Sequence, residues 1–216
     1  MLHAVPSWHV HHHARRMYHL SLSGLGLGLL MSIETTTITL VPIGSVPSDL
    51  LVWLQDRLRE ELQLAVVVDE AIPLPGQSYN DRRGQYQGDA LLIALRGYRL
   101  HGVQRIVGLI DADCYAPGLN FIFGQASING REAVVVLPRL RQSYYGLPED
   151  QPLFRERVLK EIVHELGHTW GLGHCPNPQC IMHFSNTLQD TDRKGLAFCP
   201  RCHTQLHEQH WQAAGS

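Results

Sequence analysis

Between residues 35 and 69 the apolar positions change their period twice. Thr35 to Ile43 is a run of β-branched residues and reads as a strand, Pro47 to Leu62 carries leucines at helical spacing and reads as a helix, and Leu64 to Asp69 reads as a second strand. A β-α-β unit therefore opens the patterned part of the chain. Pro73 to Arg83, with Pro-Leu-Pro-Gly and Asn-Asp, predicts a loop. A helix from about Gln85 to Tyr98 and a strand from Val103 to Ile110 follow. Asn120 to Ala126 and Glu132 to Pro138 flank an Asn129-Gly130 pair, a strong hairpin signal. A helix from Pro152 to Gly171 comes last before a cysteine-rich end. The pattern predicts a mixed, mainly parallel sheet with helices packed on it and a small C-terminal part, with a cleft between the two.

The first thirty residues break this pattern. His9, His11, His12 and His13 precede Arg15 and Arg16, and a Gly/Leu/Ser stretch runs from His19 to Leu30. A signal peptide fits poorly, because the apolar core is glycine-rich and Leu30-Met31-Ser32-Ile33 is a weak cleavage site. We expect residues 1–33 to be an appended, disordered extension, with Met31 a candidate start. Its histidines lack the fixed scaffold that a metal site needs.

Composition changes the picture little. The chain has 216 residues, 44% hydrophobic and 18% charged, with a formal net charge of -2, which suits one compact domain, expected to be a monomer. That balance supplies no basic field for nucleic acid, and no run of eighteen apolar residues would span a membrane. A peptide or protein is the better partner.

The chemistry is concentrated in residues 164 to 174, His-Glu-Leu-Gly-His-Thr-Trp-Gly-Leu-Gly-His. Positions four apart share a helix face, so His164 and His168 can meet one ion, and Glu165 can reach water beside it. The third ligand requires a sharp turn, which Gly171 permits through positive φ, so that His174 closes the set. Three protein ligands leave one tetrahedral position open, as a catalytic zinc needs. With 14 histidines in the chain a bare H-E-x-x-H could be accidental. Gly171, His174 and the nearby Met182 are separate requirements of such a site, and together they favour zinc.

Cys175, Cys180, Cys199 and Cys202 form a C-x4-C and a C-x2-C pair separated by a longer loop. Four thiolates make a closed tetrahedral site, the arrangement of structural zinc. Paired disulfides and a redox C-x-x-C are the alternatives. The first needs an oxidising compartment and the second a thioredoxin-like setting that the pattern lacks. Metal-ligating thiols suit a reducing, cytoplasmic location. The fifth cysteine, Cys114, reads as an ordinary buried residue.

The strings HELGHTWGLGHC, CIMHFSNT and FCPRC resemble the archaemetzincins, a branch of the metzincin zinc proteases. The resemblance extends upstream through NDRRGQYQGDALL, VGLIDADCYAPGLNFIFGQA and VVVLPRLRQSYYG, covering roughly residues 35 to 205. It implies an α+β, metzincin-like fold with a mixed twisted sheet, a backing helix, an active-site helix and a small zinc-bound C-terminal subdomain. Residues 34–172 would form the N-terminal subdomain and 173–216 the C-terminal one. By the same resemblance His164, His168 and His174 hold a catalytic zinc, Glu165 acts as base and acid, and Cys175, Cys180, Cys199 and Cys202 hold a second zinc. Met182 would lie as a floor beneath the ligands. Phe184 stands where some other metzincins place a tyrosine, so help from that tyrosine is not expected. The function implied is a zinc metallopeptidase; the alternative is a zinc-stabilised peptide-binding module, which would need ligands but no base.

Other residues carry weaker signals. Asp111 and Asp113 follow a strand and suit turn capping better than cation binding. Arg82, Arg83 and Tyr86 read equally as part of the family pattern or as a solvated helix start. His183 is expected in the cleft wall, and Asn186 to brace its turn through side-chain hydrogen bonds. The hairpin at 120 to 138 is the candidate edge for pairing with an extended substrate.

Overall fold

The computed structural model describes residues 37–97 and 104–213. The expected extension at 1–33, its histidine cluster, and Tyr98 and Val103 lie outside the described residues.

Strand β1 (Thr37–Ile43) leads into α1 (Ser48–Leu62) and back into β2 (Ala65–Val68), which pairs parallel with β1. The predicted β-α-β unit forms because α1 puts Leu50, Leu51, Leu54 and Leu58 on one buried stripe. Each such leucine contributes about 1.5–3 kcal/mol of burial. The helix stops where Gln63 turns left-handed at φ 55 and its N–H bonds Arg59 O.

β5 (Gln104–Ile110) and β8 (Glu132–Val136) extend the sheet in parallel, and β7 (Gly124–Ala126) closes it antiparallel, in the order β2-β1-β5-β8-β7. The central strands are apolar on both faces because helices cover both. Val107, Leu109, Ala133 and Val135 face α1 and α3 (Gln151–Thr169). Ile106, Ile110, Val134 and Val136 face α2 (Gly88–Arg96). Gly108 lies on the α2 side, where an added Cβ would come within 2.7 Å of Ile43 and 2.9 Å of Leu95.

The region before α2 departs from the expectation. The helix predicted from Gln85 begins at Gly88, and residues 85–87 form β4, paired with β3 (Tyr79–Asn80) and β6 (Cys114–Tyr115) in a second, three-stranded sheet. Long-range pairing overrides local helix preference here: the Tyr86 N–H donates to Asp113 O, and buried Gln85 donates to Asp113 and to Asn120 O. The presumed loop at 73–83 likewise contains a 3-10 turn at Gly76–Ser78 and β3. The strand expected from Asn120 starts only at Gly124, leaving 120–123 irregular.

The hairpin turn is as predicted, with Asn129 at φ 57 and the Ser127 N–H donating to Glu132 O. The Asn129 N–H also donates to His168 O, which fastens the β7 edge to the end of α3. Beyond α3 the chain forms α4 (Leu188–Arg193) and α5 (Pro200–Ala213), two helices that the apolar pattern did not announce. Among the described residues, no helix is long and apolar enough to cross a membrane.

Candidate metal centres and catalytic cleft

α3 starts where the Asp150 carboxylate caps the Leu153 N–H, with Pro152 in the first turn. From Arg157 to Thr169 every residue is buried, so the helix has no solvent-facing polar side there; even Lys160, Glu161, His164 and Glu165 are buried. The helix ends at Thr169, two residues earlier than predicted, and Gly171 at φ 89 makes the turn. That turn carries His174 back beside the helix.

The ligand nitrogens of His164, His168 and His174 lie within 4.8 Å of one another. Two of the rings are locked by backbone carbonyls: His164 Nδ1 is 2.7 Å from Ile181 O, and His168 Nδ1 is 2.7 Å from Leu172 O. A carbonyl only accepts, so each Nδ1 carries the proton and each Nε2 presents a lone pair. Those two Nε2 atoms face each other at 3.2 Å. Neither can donate to the other, so the contact is repulsive unless a cation sits between them. Tetrahedral zinc with ~2.0–2.1 Å bonds places two nitrogens about 3.3 Å apart, so the donor set fits that ion. Burial holds His164 well below the usual histidine range and lowers His168. His174 is lowered to about 4, by burial first and by His168 next. Burial thus favours the neutral, metal-ligating form of all three rings.

Glu165 projects into the same cleft and is buried; an added Cβ at Gly124 would lie 2.5 Å from its Oε1, so β7 passes directly over the carboxylate. Burial, then Glu161, pushes its carboxyl well above the usual range, while Lys194 opposes the shift. The cleft has a volume of about 460 Å³ and is walled by residues 118–126 on one side and by Phe184, Ser185 and Asn186 on the other. Met182 is fully buried beneath α3, in space left by Gly167, where a Cβ would meet its Sδ at 2.3 Å. Phe184 packs 4.8 Å from the His174 ring.

The second cluster follows at once. The sulfurs of Cys175, Cys180, Cys199 and Cys202 lie within 4.8 Å of one another as free thiols. Cys175 Sγ and Cys199 Sγ are 3.7 Å apart, far beyond the ~2.05 Å of a disulfide. That separation matches the roughly 3.8 Å of two thiolates on one tetrahedral zinc with ~2.3 Å bonds. The Cys199 N–H donates to Cys180 Sγ, and the Cys202 N–H at the start of α5 lowers the Cys199 thiol to about 7. Cys114 stays apart, buried, with its thiol pushed up to about 12 by burial and then by Asp113.

Several side chains depart from the reading of the sequence. Asp113 and Asp111 are neither cation ligands nor mainly turn caps: each forms a two-pronged ion pair, with Arg139 at 2.7 Å and with Arg141 at 2.7 and 2.8 Å. The matching i, i+2 spacing of the two aspartates and two arginines was a signal for this ladder. Arg83 is no solvated helix start, since its guanidinium reaches Leu119 O and Asn120 O. Tyr86 sits in β4 against Tyr79. Asn186 braces its turn through its backbone, its N–H donating to Asp190, while His183 turns back to Cys175 O instead of lining the cleft. No local pattern marked the buried Lys194–Glu161 pair at 2.9 Å or the Arg157–Asp192 pair at 2.6 Å. These pairs join α3 to the segment between the cysteine pairs.

Fold and clustered donors together define a zinc metallopeptidase of the metzincin type. The chain belongs to peptidase family M54, whose sequence model matches residues 43–208. It is 46% identical over 161 residues to the archaemetzincin of Methanopyrus kandleri, an alignment covering 74% of this chain and 87% of that one. The Pyrococcus furiosus archaemetzincin is 42% identical over 180 residues, covering 79% and 92%. Among solved structures, the Methanopyrus kandleri archaemetzincin matches with a TM-score of 0.73 at 42% identity, covering 84% of this chain and 99% of its own. The Archaeoglobus fulgidus archaemetzincin, complexed with malonate, matches with a TM-score of 0.69 at 36% identity, covering 79% and 99%.

Proposed function

We propose that this metallopeptidase binds two zinc ions, one catalytic on His164, His168 and His174 and one structural on Cys175, Cys180, Cys199 and Cys202, and that Glu165 is its general base and acid. The observation that carries the reading is the pair of lone-pair-bearing Nε2 atoms facing each other at 3.2 Å, in the cleft that also receives the Glu165 carboxyl. In this reading residues 34–172 and 173–216 act as the two subdomains on either side of the cleft.

When bound, zinc supplies Lewis acidity, acidifying water toward a pKa of ~7 and polarising the scissile carbonyl. Glu165 takes a proton from the attacking water as its oxygen bonds the carbonyl carbon. It returns that proton to the nitrogen as the C–N bond breaks. A cation on the neighbouring imidazoles favours the ionised carboxylate and so offsets the effect of burial. The carbonyls of Ile181 and Leu172 hold His164 and His168 in the ligating tautomer throughout. Phe184 has no hydroxyl to assist. The substrate lies extended along β7, an edge strand whose outer backbone groups can pair with it. A binding module would have no use for a carboxylate at position 165.

The test is a peptide-library digest by the zinc-loaded protein, with chelated protein and Glu165→Gln as controls. Cleavage by the parent alone is expected; equal cleavage by Glu165→Gln refutes the assignment. Metal analysis should return two zinc ions per chain, and one would remove either the histidine or the cysteine site.

A further inference from the structure

Resting on the peptidase reading above, we infer that Arg83 is a positioning residue for an apolar substrate subsite formed by Leu119 to Phe123, which selects peptides with an aromatic or large aliphatic side chain. Residues 119–123 line the cleft yet have no strand or helix to hold them. Their backbone–backbone bonds are three: the Leu119 N–H to Ala116 O, the Ile122 N–H to Cys114 O and, at the far end, the Val136 N–H to Phe123 O, so Asn120 and Phe121 have none. The carbonyls of Leu119 and Asn120 belong to no strand ladder, and Arg83 donates to both, at 3.3 and 3.0 Å.

Arg83 is itself fixed on three sides and does not line the cleft. Its guanidinium stacks 4.2 Å from the Tyr115 ring centroid, and its Nε donates to Gln85 at 2.9 Å. Gln85 in turn donates to Asn120 O at 3.0 Å and to Asp113 at 2.9 Å. Asp113 holds Arg139, whose guanidinium lies 4.5 Å from the Phe121 ring centroid. Backbone and side chain of the wall are thus gripped by two arginines linked through Gln85 and Asp113. A lysine at 83 could not replace this, because only the planar fork reaches two carbonyls and a glutamine while stacking on a ring.

The wall so held is greasy. Leu119 is 44% exposed, Phe184 across the cleft is 41% exposed, and Ile128 is 63% exposed, so substrate side chains meet apolar surface. Among the described residues that line the cleft the charged ones are Glu161 and Glu165, with Glu161 paired to Lys194, and there is no lysine or arginine. An acidic side chain would find no partner and a large apolar one would find three.

The test compares the zinc-loaded protein with Arg83→Met, Arg83→Lys and, as a surface control, Arg82→Met. Binding of a phenylalanine-derived and an alanine-derived hydroxamate is measured by calorimetry, and amide hydrogen exchange is followed across residues 116–123 and α3. The parent and Arg82→Met should prefer the phenylalanine compound at least tenfold; both Arg83 variants should bring the ratio within about threefold, with zinc content unchanged. Exchange in 116–123 should rise while α3 stays protected. An unchanged ratio with unchanged exchange overturns the proposal, as does a parent that prefers the alanine compound. Faster exchange in α3 with loss of zinc would make Arg83 a general stability residue and overturn it too. Failure of the peptidase reading would appear separately, as absence of peptide cleavage by a parent that still discriminates between the two hydroxamates.

Discussion

His174 and Cys175 are neighbours in the chain, yet they belong to two metal-competent clusters of opposite character. The imidazole cluster has three donors, opens on a cleft of about 460 Å³ and has a carboxyl beside it. The thiol cluster has four donors, three of them on buried residues, and is closed by a helix start and its own backbone. The same ion would therefore be free to react at one and saturated at the other, so the difference lies in donor count and access. The two are mechanically joined. Ile181 O orients His164, and the next carbonyl, of Met182, accepts the Cys175 N–H at 2.8 Å.

The strongest way to break the contrast is to open the closed site. Cys202→Ser should release its ion and lower the melting temperature by on the order of 10 °C or more, because ion binding there is also folding energy. Calorimetry with metal analysis checks this, and an unchanged melting temperature with two ions would deny the thiols a structural role. At the open site Glu165→Gln should lower kcat about 10²–10⁴-fold while both ions and the melting temperature are kept. Steady-state rates with metal counting would read this, and parallel losses of metal and rate would make Glu165 a structural residue instead.

Between the clusters, Lys194→Met leaves buried Glu161 unpaired and should cost about 3–5 kcal/mol, roughly 10 °C in melting temperature. Restoration by adding Glu161→Gln would show that the lone charge is the cause; no restoration would assign the loss to packing. The smallest effect sharpens the contrast most. In Gly124→Ala the new methyl would sit 2.5 Å from Glu165 Oε1, so the carboxyl must shift. We expect about tenfold lower kcat, equivalent to ~1.4 kcal/mol, with thermal stability nearly unchanged. A kcat equal to the parent's would mean that the position of this carboxylate is not critical.

Much of this was legible in the chain because the governing interactions are local. The α1 leucines, the Asn129-Gly130 turn and the i, i+4 histidines act over one or two turns of backbone, so spacing alone places them. The β-strand at 85–87 was not legible, since it exists through Asp113 and Asn120, about thirty residues away. The cysteine spacing left disulfides open, and only the 3.7 Å sulfur separation in a four-thiol cluster speaks to that question.

By itself the sequence determined the imidazole and thiol donors, the carboxyl beside them and the glycine that lets His174 return, because geometry within a turn depends on residue order alone. The tertiary structure decided the rest: the tautomers set by Ile181 and Leu172, the ion pairs that tie α3 to the cysteine side, and the wall held by Arg83. Each of those needs a partner whose position is fixed by packing of the whole chain, and no local pattern encodes where that partner will be.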